Sequence, residues 1–226
     1  MAAGFDYVEL PAKAVASGSL PPGAEATNLF VFTDLKLVGP ERGDIAAYGN
    51  ELLPKAVSLG IQTMVIGSGN ARRCPEGYDL ARAHDEFYEA ASVFDKIARP
   101  LGLTIAPESL RREETNVGND LGDFAHALAE HGVRYTCDTY HVLAQPNADS
   151  MSLDYWRTEI PFLPAHVHLG TTDRTWRVLE DPGLRPFVER LRELGYDGRV
   201  SYEGSWGDFE AELPEALRQI RELFGV

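Results

Sequence analysis

The chain has 226 residues, 44% of them apolar and 25% charged, enough to bury a full core in one domain spanning 1–226. Its 21 basic and 35 acidic side chains leave a net charge of −14, and without a basic stripe such a surface repels phosphate backbones, so no nucleic-acid partner is expected. No long apolar run suits a membrane, the first residues lack a secretion signal, and the two cysteines, Cys74 and Cys137, make no disulfide framework; a cytoplasmic location is expected.

In chain order, residues 5–10 read as a strand, and the Ala-, Gly-, Ser- and Pro-rich stretch 11–27 reads as loop with little helix. Asn28-Leu-Phe-Val-Phe-Thr33 is dense in β-formers and predicts a second strand. Helical spacing over 45–59 carries Pro54 as a kink or second start, and 61–67 predicts the third strand. The longest helix is predicted over 79–101, with an apolar stripe of Leu80, Ala83, Phe87, Ala90, Phe94 and Ile97. Strands at 103–108, 133–138, 165–170 and 199–204 then alternate with helices near 119–131, 152–160, 184–194 and 208–224.

Those last four strands share one pattern. Leu103-Thr-Ile-Ala-Pro-Glu108, Val133-Arg-Tyr-Thr-Cys-Asp138, Ala165-His-Val-His168 and Arg199-Val-Ser-Tyr-Glu203 each end on a metal-ligating residue type. Three of them follow a helix-like segment closed by glycine, at Gly102, Gly132 and Gly195. Repeated strand, helix, glycine and strand predicts an α/β protein with a parallel sheet, whose carboxyl strand ends converge on one face. Seven strands are readable where a closed (β/α)8 barrel has eight, so the pattern expects a first strand and helix upstream of Gly4.

Glu108, Asp138, His168 and Glu203 delivered to one face would suit a divalent metal such as Mn²⁺, Mg²⁺ or Co²⁺, with Zn²⁺ also compatible. Such an ion polarises a carbonyl and stabilises the enediolate left by loss of an α-proton, while two carboxylates serve as base and acid. The bland reading is that acids at strand ends only cap the helices that follow. His141, three residues beyond Asp138, is read equally as a mouth residue or a surface histidine, and Arg174 as a site residue or the surface partner of Asp173. His166 shares the face of His168 one layer deeper and reads as a hydrogen-bonded interior residue. Ser68-Gly-Asn-Ala-Arg-Arg73 is taken as a polar loop, lacking the lysine and register of a phosphate cradle.

The chain resembles the sugar phosphate isomerase/epimerase family built on a xylose isomerase-like TIM barrel, from Gly4 to about Phe224. Gly4-Phe-Asp-Tyr-Val-Glu-Leu10, Gly67-Ser-Gly-Asn-Ala-Arg72, Glu108-Ser-Leu-Arg-Arg-Glu-Glu-Thr-Asn116, Asp138-Thr-Tyr-His141, His166-Val-His-Leu-Gly170 with Asp173-Arg174, and Gly195-Tyr-Asp-Gly-Arg-Val-Ser-Tyr-Glu203 carry the likeness. The resemblance implies that Glu108 and Glu203 bind the metal and also move the proton, with Asp138 and His168 completing the shell. It assigns His141 and Arg174 to substrate oxygens and Glu114 to a substrate hydroxyl, on a keto sugar or related polyol, and it implies a homodimer. Thr175-Trp-Arg-Val-Leu179 departs from the Pro-Gly segment the family often has there, Val142-Leu-Ala-Gln145 replaces an expected acidic pair, and Arg111 stands where asparagine is usual. A dehydratase of the same fold would share the ligands, as would a non-catalytic sugar-binding or scaffold descendant. The superfamily's DNA-repair endonucleases need several metal ions, more histidines and a basic groove.

Overall fold

A βα repeat runs through the computed structural model, which describes residues 4–145 and 151–226. Seven strands are found among the described residues: β1 (Val8–Pro11), β2 (Ala24–Asn28), β3 (Thr63–Ile66), β4 (Thr104–Pro107), β5 (Thr136–Asp138), β6 (His166–Leu169) and β7 (Val200–Tyr202). The helices are α1 (Lys13–Ser17), α2 (Ile45–Ser58), α3 (Gly69–Arg72), α4 (Leu80–Ala98), α5 (Leu121–Glu130), α6 (Thr139–Leu143), α7 (Leu153–Glu159), α8 (Leu184–Glu193) and α9 (Phe209–Phe224).

Local chemistry sets these boundaries. Asp79 starts α4 by accepting from the amides of Ala81 and Arg82, and Asp44 starts α2 by accepting from Ala47. Gly102, Gly132 and Gly195, at φ of 72°, 71° and 68°, take the left-handed conformation that turns each preceding helical segment into the next strand. The α2 helix runs unbroken through Pro54, so the expected restart there does not occur. Ala83, Phe87, Ala90, Ala91, Phe94 and Ala98 form the buried stripe of α4, whereas Leu80, its first residue, is exposed. Burying each phenylalanine contributes about 1.5–3 kcal/mol.

Every strand pairing is parallel, in the order β1-β2-β3-β4 and β5-β6-β7. A parallel bridge between Glu108 and Thr136 joins β4 to β5, so the strands follow one another around the sheet in sequence order. This is the expected α/β barrel, with seven strands. Among the described residues β1 and β7 share no backbone ladder; side chains link that side instead. Tyr7 bonds Ser201 at 2.7 Å, and Arg199 Nε donates to Glu25 Oε2 at 2.9 Å. A cavity of about 660 Å³ opens there, lined by Phe5, Tyr7, Val200, Tyr202, Leu217 and Phe224 among others.

Two sequence expectations are corrected. Residues 11–27 are not all loop, since they contain α1 and most of β2. The second strand is 24–28, not 28–33: Leu29 turns the chain at φ 46°, and Phe30, whose amide still donates to Val65 O on β3, packs edge-on against Phe94 (4.6 Å) and Tyr48 (5.5 Å). Aromatic packing accounts for Phe30 and Phe32 there. None of the described helices is long and apolar enough to cross a membrane.

Candidate metal centre

Each strand in the second half of the barrel delivers one acid or imidazole to its carboxyl end. Glu108 follows β4, Asp138 ends β5, His168 lies in β6 and Glu203 follows β7. His168 sits at their centre: its Nδ1 lies 2.9 Å from Glu108 Oε2, 3.3 Å from Glu203 Oε1 and 3.6 Å from Asp138 Oδ2. Three of these atoms, Glu108 Oε2, Asp138 Oδ2 and His168 Nδ1, are buried without any hydrogen-bond partner. Buried polar atoms left without partners are costly, and a shared cation would satisfy all of them. Oxygen-rich donors with one imidazole suit a divalent ion of the Mn²⁺, Mg²⁺ or Co²⁺ kind.

The surroundings aim these atoms. Asp138 Oδ1 caps α6 by accepting from Tyr140 N at 2.8 Å, while its Oδ2 faces the centre. Gly67 makes room for Glu108, because a Cβ there would stand 2.0 Å from Glu108 Oε1. Asn28 Nδ2 donates to Glu203 Oε1 at 3.0 Å. Burial would raise the Asp138 carboxyl, but the imidazoles of His141 and His168 outweigh it and hold the group below its usual value. For Glu203, burial and the nearby Asp138 and Glu108 carboxylates prevail over His168 and raise it. Burial would lower His168, yet Glu9, Glu203 and Glu108 hold it well above its ordinary value.

The substrate-side candidates lie on the same rim. His141 is buried, not a surface residue; its Nε2 is 3.6 Å from Asp138 Oδ2 and its Nδ1 accepts from Arg111 N at 3.4 Å. Glu114 is half-exposed and accepts from Arg111 Nε at 2.9 Å, with His141 Nδ1 at 3.8 Å. Arg174, at φ 57°, lies 3.9 Å from the centroid of the Tyr140 ring and 3.8 Å from Glu203 Oε2. It is not the partner of Asp173, whose carboxylate is held by the hydroxyls of Thr171 and Thr175. Arg111 approaches the same Tyr140 ring, at 5.0 Å. The segment 68–73 presents no anion cradle: Arg72 is fully buried over Phe87 and Phe124, and Arg73 donates to the carbonyls of Glu113 and Glu114.

Sequence reasoning missed Asn28, Gly67, Tyr140 and, above all, Glu9. The Glu9 side chain is only 7% exposed and reaches His166 Nε2 and His168 Nε2, each at 2.9 Å. A glutamate on an edge strand beside two inward histidines was the available signal, but only once β1 and β6 are known to face each other.

A model of the family described as xylose isomerase-like TIM barrel matches residues 50–223. The chain belongs to that family. No curated protein matches the sequence. Among solved structures, one of a D-psicose 3-epimerase with D-fructose is similar at TM-score 0.82 and 20% identity, covering 100% of this chain and 91% of that one. A 3-keto-D-glucoside 4-epimerase from E. coli is similar at TM-score 0.77 and 19% identity, covering 98% and 90%. An L-ribulose 3-epimerase follows at TM-score 0.78 and 16% identity, covering 99% and 86%. At these identities the likeness establishes the barrel that this xylose isomerase-like chain shares with them.

Proposed function

We propose that this protein is a divalent-metal-dependent isomerase or epimerase acting on a keto sugar or related polyol. The observation that carries the reading is the convergence of three partnerless buried atoms, on Glu108, Asp138 and His168, with Glu203 beside them. That solved structures of similar fold are sugar epimerases points the same way. Glu108, Asp138, His168 and Glu203 would hold the metal, which when bound supplies positive charge to polarise the substrate carbonyl and offset charge developing on proton loss.

The chain's own groups do the rest. Glu203, raised by burial and by its neighbouring carboxylates, is suited to take up the α-proton. Glu108 returns a proton on the opposite face or to the neighbouring carbon, and the two roles exchange with reaction direction. His141 accepts from Arg111 N at Nδ1, so the neutral ring carries its proton on Nε2, 3.6 Å from Asp138 Oδ2, and would donate it to a substrate oxygen. Arg174 and Glu114 bind further oxygens from the rim. The buried, free thiols of Cys74 and Cys137 fit a reducing, cytoplasmic setting.

Metal content of the purified protein and solvent-deuterium exchange into a keto-sugar panel test this reading together. About one Mn, Mg, Co or Zn ion per chain is expected, lost in the Glu108→Ala/Glu203→Ala double variant. Deuterium incorporation at the α-carbon is expected in the wild type and absent in Glu203→Gln. No ion after loading and dialysis, or undiminished exchange in Glu203→Gln, would overturn it.

A further inference from the structure

Behind the four candidate ligands lies a second polar layer with no role in the chemistry so far. His166 and His168 alternate along β6, and both rings turn Nε2 toward one carboxylate, Glu9 on β1. Glu9 divides its oxygens between them: Oε1 lies 2.9 Å from His168 Nε2, while Oε2 lies 2.9 Å from His166 Nε2 and also accepts from Ser201 Oγ. Because the Ser201 hydroxyl spends its proton on Glu9, the Tyr7 hydroxyl must be the donor in the 2.7 Å contact to Ser201. The partners of Glu9 are 157, 159 and 192 residues away in sequence, on strands across the unladdered side of the barrel.

We propose that Glu9 is a positioning residue: by accepting the Nε2 proton of His168 it leaves the Nδ1 lone pair facing Glu108, Asp138 and Glu203. The inference rests on the metal-dependent reading of the site. An ionised carboxylate only accepts hydrogen bonds, whereas a neutral imidazole has one donor and one acceptor nitrogen. The nitrogen against Glu9 therefore carries the hydrogen, and the other becomes the ligand atom. It is Nδ1, among the His168 nitrogens, that is buried and partnerless. A carboxylate bonded to the far nitrogen also fixes the ring plane and raises the basicity of the ligating one. Glu9 and the two histidines could be imagined as a second cation site, since their ligand atoms lie together. However, each Nε2 faces an oxygen at ordinary hydrogen-bond distance, and Ser201 satisfies Oε2 further.

Glu9→Gln separates these roles. The two imidazoles donate to different oxygens of Glu9, and a carboxamide puts an NH2 donor in place of one of them, so it cannot accept from both rings where they stand. The experiment measures Mn²⁺ affinity by calorimetry and reads the histidine tautomers by ¹⁵N NMR on the Zn²⁺-loaded protein, with circular dichroism reporting the fold. The wild type is expected to bind one ion and to show His168 protonated at Nε2 alone. Glu9→Gln is expected to weaken Mn²⁺ binding by roughly 10–100-fold, the range for loss of such an outer partner. Ser201→Ala, which leaves Oε1 on His168, is expected to bind Mn²⁺ as the wild type does. If Glu9→Gln does not fold, Glu9→Asp keeps the charge but withdraws it from the rings, and it should also weaken binding. Unchanged affinity in whichever of these two variants folds, His168 protonated at Nδ1 in the loaded wild type, or two ions per chain would overturn the assignment. Failure of the wild type itself to bind metal would instead sink the metal-dependent reading on which it rests.

Discussion

Asn28, the last residue of β2, reaches the carboxyl end of β7 and donates from Nδ2 to Glu203 Oε1 at 3.0 Å. The bond has two physical consequences for the proposed base. It pins one oxygen so that the other, 3.8 Å from Arg174, faces the rim, and it offsets part of the rise that burial imposes on the carboxyl. Asn28→Ala should therefore leave the fold intact and lower kcat/KM about tenfold, the cost of a hydrogen bond to a charged group of about 1.5 kcal/mol. Steady-state kinetics on whichever keto sugar shows exchange would check this, and an unchanged kcat/KM would remove Asn28 from the machinery.

Gly67, immediately after β3, is the neighbour that lets Glu108 enter the centre. Its missing Cβ would stand 2.0 Å from Glu108 Oε1, closer than a non-bonded pair tolerates, and a tight 3.1 Å from Cδ. In Gly67→Ala the Glu108 carboxylate must swing away or β3 must shift, with an overpacking cost of about 1–3 kcal/mol. The expected result is a lowered Tm together with weakened Mn²⁺ binding. Metal affinity preserved at wild-type level would mean that Glu108 reaches the ion from a different direction.

How much of this was legible in the sequence depends on how far apart the partners lie. The convergence of the four strand-end candidates could be read because parallel βα units repeat locally: a helix closed by Gly102, Gly132 or Gly195 announces the next strand, and residues at the strand's end arrive at the common mouth. Glu9 could not be read that way. In Tyr7-Val-Glu-Leu10 it looks like one solvent-facing acid on an edge strand, and its meaning comes from His166, His168 and Ser201, all more than 150 residues away. The run Leu29-Phe-Val-Phe32 misled for a different reason. Phe30 and Phe32 serve an aromatic cluster with Tyr48 and Phe94, and Tyr48 donates its hydroxyl proton to the Phe30 carbonyl at 2.7 Å, taking an acceptor that a ladder would otherwise use.

The metal-free protein should lose stability as pH rises. Burial alone would lower His168, but Glu9, Glu203 and Glu108 hold it well above its ordinary value, so the folded state keeps a proton that the unfolded chain releases near about 6.5. That stabilisation is complete below the unfolded value and is lost as pH climbs through the raised folded value. Glu203, also raised, acts in the same direction. Thermal melts in EDTA across neutral and mildly alkaline pH should show Tm falling, and His168→Gln should flatten much of the slope. Added metal replaces the proton's charge and should restore Tm, adding about 2.7 kcal/mol of stability at one hundred times its Kd. A metal-free Tm that rises with pH over this range would contradict the electrostatics assigned to His168.

Tyr140 supplies the last test, because it supports the rim without joining the metal shell. Its ring lies under the Arg174 guanidinium at 3.9 Å and beside that of Arg111 at 5.0 Å. A cation over a ring contributes about 0.5–2 kcal/mol and, more to the point here, restricts where the guanidinium can go. In Tyr140→Leu the platform is gone while Asp138, two residues earlier, keeps its place at the end of β5. Substrate affinity should fall, with KM rising several-fold, while Mn²⁺ affinity stays at the wild-type level. Tyr140→Phe, which retains the ring, should behave as the wild type. Parallel loss of metal binding in Tyr140→Leu would instead show that the ring holds the α6 turn, and with it Asp138, and that Arg174 is positioned by other means.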